Sequence, residues 1–157
     1  MNMKFVSPEQ AGNSEKDIIS NTWFWPALDL ALFRQEMRMD GTVTADRLRL
    51  VVKTAIAEVN AELYDYRERQ RERGYSSLVD VPSEEIDGES QRMMFYRNAV
   101  WCWARAVLIE RYSDFDATGA GDKKADAMEP SIGDLWRDAR WAISRFRDLP
   151  HMTVELI

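Results

Sequence analysis

Apolar residues recur at steps of three and four through Leu48, Val51, Val52, Ala55, Ile56, Val59, Leu63 and Tyr66. That period belongs to one face of an α-helix. Thr44 offers an N-cap oxygen, and Asp46 suits the positive end of a helix. Arg67, Arg69, Arg71 and Arg73, followed by Gly74, supply stop signals. The pattern predicts a helix over 45–73. Met94, Trp101 and Leu108 lie seven apart, as do Met93, Val100 and Val107, which predicts a helix over 89–113. Ile132, Leu135, Trp136, Ala139, Ile143 and Phe146 mark another, from about 132 to 148, with Pro150 beyond it. Pro26 opens a shorter stretch with Leu28, Leu30, Leu32, Phe33 and Met37, a short helix over 27–38 stopped by Asp40-Gly41. No segment outside the last few residues alternates apolar and polar over the length of a strand. The expected fold is all-α: a single-domain helical bundle of one short helix and three longer ones.

Polar sequence flanks this bundle. Residues 1–21 read as an N-terminal arm outside the core, 22–148 as the helical domain and 149–157 as a C-terminal tail. Residues 75–88 connect the second and third helices, and 114–121 form an Asp- and Gly-rich loop. Lys123 to Met128 read as a helical piece that Pro130 and Gly133 interrupt.

A chain of 157 residues, 45% hydrophobic and 31% charged, is long enough for one real core. Its 21 Lys and Arg against 27 Asp and Glu leave a net charge of −6, which argues against a general nucleic-acid binder. A single cysteine, Cys102, and a single histidine, His151, exclude a disulfide framework and a four-ligand Cys/His zinc site. Any Ser-His-Asp or Cys-His chemistry would have to use His151, close to the C-terminus. No helical metal motif of the Glu-x-x-His kind is present, and no cofactor is expected. Gly119 to Lys124 lack the spacing of a phosphate loop. Cys102 reads as a buried small hydrophobe. No run approaches the ~18 apolar residues of a membrane span, and the start lacks a signal-peptide pattern. The expectation is a reduced, cytosolic, single-domain protein.

What remains is a set of candidate contacts. Arg67, Arg71 and Arg73 belong to a basic helix end, for which a solvated surface, a protein partner and DNA are all open readings. Glu84, Glu85 and Asp87 belong to an acidic stretch over 80–90. The two segments would complement one another across neighbouring copies of the chain. Trp23, Phe24 and Trp25 cannot all face one core, so Trp23 and Trp25 are candidates both for covering the bundle end and for anchoring a partner. Trp101 and Trp136 fall on the apolar stripes and are expected in the core. Trp103 and Trp141 lie off the stripes, as packed edges or as contacts.

Several blocks then resemble the head-completion proteins of P2-like tailed bacteriophages. They are Asn60-Ala61-Glu62-Leu63-Tyr64 with Tyr66-Arg67, Ile86-Asp87-Gly88-Glu89-Ser90, Glu110-Arg111-Tyr112, Gly121-Asp122-Lys123-Lys124-Ala125-Asp126, and Leu135-Trp136-Arg137-Asp138 with Arg140-Trp141-Ala142. The resemblance runs from about residue 20 to the end. It implies a structural head–tail connector protein without catalytic activity, located in the virion neck. It implies binding to the portal protein after DNA packaging and closure of the filled head. It also implies a surface for the tail-terminator or other neck proteins. Such proteins are similar to all-α adaptors that assemble as twelve-fold rings, past which packaged DNA moves; no membrane is involved. Pro130 and Gly133 depart from a continuous last helix and predict a kink or restart there. The alternative is a helical adaptor or regulatory protein with one protein partner and no virion role.

Overall fold

A computed structural model describes residues 17–39, 43–112 and 131–148. The loop at 114–121, the Lys123–Met128 piece, the tail at 149–157 and most of the arm lie outside the described residues. The elements are β1 (Ile18–Ile19), β2 (Leu28–Asp29), α1 (Leu30–Glu36), α2 (Ala45–Glu62), α3 (Tyr64–Glu72), β3 (Glu85–Ile86), β4 (Glu89–Ser90), α4 (Gln91–Tyr112) and α5 (Ile132–Phe146). A single 3₁₀ turn at Leu78–Asp80 lies between α3 and β3.

The central element is α4, which packs against α5 and against α2. Its buried residues run almost all the way round: Tyr96, Ala99, Val100, Trp101, Ala104, Ala106 and Leu108 among them. A helix apolar on every side is a buried one. Along the α4–α5 seam, Ala106 and Ala139 are fully buried beside Cys102 and Leu135. Small side chains there let two helix backbones approach closely.

Local signals set the helix ends. The Thr44 side chain accepts a hydrogen bond from the Arg47 amide at 3.4 Å, as a cap at that position requires. Ser131 and Asp134 form a reciprocal capping box, with the Asp134 amide donating to Ser131 Oγ at 3.1 Å. These bonds lower the Asp134 pKa below the usual carboxylate value. Ser131 has extended backbone angles, so the last helix begins at Ile132. The short helix starts at Leu30, later than the expected residue 27, because Asp29 Oδ1 accepts from the Ala31 amide at 2.9 Å while Leu28–Asp29 pair with β1.

The fold is mainly helical, as expected, with two small antiparallel pairs besides, β1 with β2 and β3 with β4. Each strand has two residues, too short to show an alternating pattern. The second pair closes through Asp87-Gly88, both left-handed at φ 53° and 75°, as a two-residue hairpin turn needs. The predicted 45–73 helix is interrupted at Leu63, with φ −102° and ψ 13°. Its apolar stripe nonetheless continues through Val59, Leu63 and Tyr66 to Gln70, all buried. Finally, residues 17–21, expected in the arm, join the fold: Ile19 is buried and Asn21 enters a polar network.

That network is the main polar feature of the interior. The Tyr96 hydroxyl donates to Asn60 Oδ1 at 2.6 Å and accepts from Asn21 Nδ2 at 2.8 Å. Asn60 Nδ2 donates to Asn21 Oδ1 at 3.0 Å, closing the ring of bonds. Burial holds the Tyr96 hydroxyl well above the usual tyrosine pKa of 10.0. Because the folded-state value is raised, this contribution to stability is complete below pH 10.0 and is lost as pH climbs beyond it. Replacing Tyr96 by Phe takes one bond from each of two amides, leaving Asn21 its bond to the Pro26 carbonyl and Asn60 its bond to Asn21. It should cost about 1–3 kcal/mol in urea unfolding at neutral pH and flatten the alkaline loss of stability. Unchanged stability would contradict the network's role.

Candidate contact surface

Trp23, Phe24 and Trp25 divide between inside and outside. Phe24 and Trp25 are buried, whereas Trp23 is 55% exposed. Trp25 stacks on Tyr96 with ring centroids 4.8 Å apart and planes 5° from parallel. It also meets Phe146 at 5.8 Å. As a partner contact Trp25 is therefore corrected to a core residue, since its ring is enclosed by aromatics of α4 and α5.

Trp23 instead builds an outward-facing cluster with the start of α3. The Arg67 guanidinium lies 4.9 Å from the Tyr64 ring centre and 5.6 Å from that of Trp23. Those distances lie within cation–π range. Tyr64 is 53% exposed. Glu68 joins the cluster, accepting from Arg67 at 3.3 Å and from Arg71 at 3.4 Å. Tyr64, Arg67 and Arg71 share one face of α3 because positions three and four apart stack on a helix. The adjoining face, about 100° round the helix, buries Leu63, Tyr66 and Gln70. Arg71 and Arg73 are both exposed, and Arg73 caps the end of α3. Tyr64 was invisible as a contact from periodicity alone; its i,i+3 spacing to Arg67 was the available signal.

The acidic residues sit on the β3–β4 hairpin. Glu84, Glu85 and Asp87 are exposed, and between the last two stands Ile86, itself 52% exposed. The hairpin is tied to the body by Glu89, which both guanidinium nitrogens of Arg97 reach. This pairing raises the Arg97 pKa further. Arg97 also approaches Glu36 of α1 at 3.9 Å.

Trp103 and Trp141 are half-buried. Trp103 meets Trp136 edge-on at 5.2 Å, and Arg137 stands 4.7 Å over the Trp141 ring. Trp101 is core as expected, its Nε1–H donating to Glu36 at 2.8 Å. Trp136 is only half-buried, because its Nε1–H turns outward to Glu110 at 2.8 Å. Cys102 is buried, which pushes its thiol up to about 11. Two arginines, one buried and one half-buried, had no signal in the pattern. Arg105 donates to the Met37 carbonyl at 2.6 Å, and Arg92 reaches the Phe146 carbonyl and Asp148. Among the described residues, no three His, Cys, Asp or Glu side chains gather as a metal site, and no helix is long and apolar enough to cross a membrane.

The surface so described is one of exposed rings and opposed charges. Comparison with known proteins gives the family. Residues 19–157 match the family of the phage head completion protein (GPL). The head completion/stabilization protein of Escherichia phage P2 is 45% identical over 97% of this chain and 89% of its own length. The probable head completion/stabilization protein of Haemophilus phage HP1 is 23% identical over 61% of this chain and 64% of its own. No solved structure matches. The chain belongs to the phage head completion protein family, a family of structural phage proteins.

The split between the two tryptophans can be measured. Trp25→Ala should cost about 3–5 kcal/mol of stability, the range for deleting a buried aromatic. Trp23→Ala should stay within about 1 kcal/mol, since most of its surface is already in water. Equal losses in denaturant unfolding would place Trp23 in the core after all.

Proposed function

We propose that this protein acts at the head–tail connector of a tailed phage. It binds the portal vertex once DNA is packaged, stabilises the filled head and offers the surface on which the tail is mounted. It does so as a ring of identical copies in the virion neck, beside the portal protein and the tail-terminator or other neck proteins. The observation that carries this reading is the family match over residues 19–157. The exposed chemistry is compatible with it. A ring needs two different patches on each copy, and this chain presents a basic aromatic face on α3 and an acidic hairpin. A net charge of −6 suits passing contact with packaged DNA rather than retention of it.

The test is co-sedimentation of the protein with the portal ring encoded in the same genome. The expected result is binding at a fixed stoichiometry that matches the portal ring. A chain that ignores both isolated portal rings and DNA-filled heads would overturn the connector reading. Duplex DNA binding that weakens steeply with salt would point to phosphate contacts instead.

A further inference from the structure

Two patches on this chain complement one another in shape of chemistry as well as charge. On one, the exposed rings of Trp23 and Tyr64 flank Arg67, with Arg71 a turn further on. On the other, Ile86 stands exposed beside Glu84, Glu85 and Asp87. Each thus pairs an apolar centre with charged neighbours, of opposite sign. Among the described residues, no ion pair joins α3 to the hairpin within one molecule; the Arg71 partner is Glu68 and the hairpin's Glu89 pairs with Arg97.

The patches lie on different elements: one on α3 and the segment before β2, the other on the β3–β4 hairpin, which Arg97 holds to α4. Two different patches on each copy are what a head-to-tail contact between identical copies requires.

The geometry points to such a contact: the β3–β4 hairpin of one copy seats on the Trp23–Tyr64–Arg67 cluster of the next. Ile86 lies on the two rings, and Glu84 and Glu85 face Arg71 and Arg73. The occupant of the aromatic cluster is a second copy of this chain. This contact rests on the ring reading above, and specifies which surfaces close the ring.

The experiment uses the full chain carrying Tyr64→Cys and Ile86→Cys, oxidised both free at high concentration and bound to portal rings. A disulfide forms only where the two Cα atoms come within about 7 Å. The expected result is a ladder of multimers, whereas either single cysteine variant stops at dimers. In a second arm, Arg71→Glu with Arg73→Glu should reduce self-association in sedimentation at least about tenfold, because like charges then face one another. Adding Glu84→Lys and Glu85→Lys to the same chain should restore it. If the protein binds portal rings but gives no ladder, and the reversed charges change nothing, the seat is wrong and the connector reading stands. If it does not bind portal rings, the connector reading falls. The free-chain ladder and charge swap then decide the seat alone, and their absence overturns it. Cross-linking of Tyr64→Cys to the portal instead of to a second copy overturns it as well.

Discussion

Three distant stretches of the chain meet at a single buried hydroxyl. Tyr96 of α4 is fully enclosed, and its oxygen is bonded to Asn60 of α2 and Asn21 of the segment after β1. Three stretches far apart in sequence are locked at that atom. The ring beneath it does the apolar share of the task by stacking on Trp25. A buried hydroxyl without partners would cost more than the whole bond is worth, so the three side chains must arrive together. Trp23 is exposed as a consequence: once Asn21, Phe24 and Trp25 are placed, the side chain at 23 has only the outside left to it.

Cations along α4 extend the same logic outward. Arg92, Arg97 and Arg105 each reach a different neighbour: the end of α5, the hairpin with α1, and the turn after α1. Their long stems lie along the protein while their guanidinium groups satisfy carbonyls and carboxylates at the margins. Such ties join peripheral elements to the central helix without demanding more apolar surface from short segments. Through Glu89, one of them also holds the two-residue strands of the β3–β4 hairpin in a defined place.

Much of this was legible in the sequence, and the remainder has identifiable reasons for having been hidden. The stripes over 48–66, 94–108 and 132–146 placed the long helices because each helix turns one repeating face toward the core. Thr44 marked its cap for the same local reason. The interruption at Leu63 was hidden because the stripe passes through it unbroken. The β1–β2 pair was hidden because its partners are joined by tertiary hydrogen bonds, not by a local turn. Trp23 and Trp25 were indistinguishable, since only a stacking partner 71 residues away from Trp25 tells them apart. The arginines of α4 carried no warning, because a charged residue on a core helix reads as surface until its distant acceptor is known. Ser131 and Asp134 did carry the spacing of a capping box, and it sat immediately before the last apolar run.

The turn at Asp87-Gly88 has an entropic consequence. Both residues are held in the left-handed region, and the Gln91 amide closes the base of the hairpin by donating to the Glu84 carbonyl at 2.9 Å. Ile86 is β-branched and therefore stiff about its first side-chain torsion. A loose loop bearing the same residues would have to fix its backbone on docking, at about 1–2 kcal/mol per residue. Here the backbone's share of that freedom is surrendered when the chain folds. The hairpin is a preorganised finger, its shape set by the turn and not by whatever lies beside it.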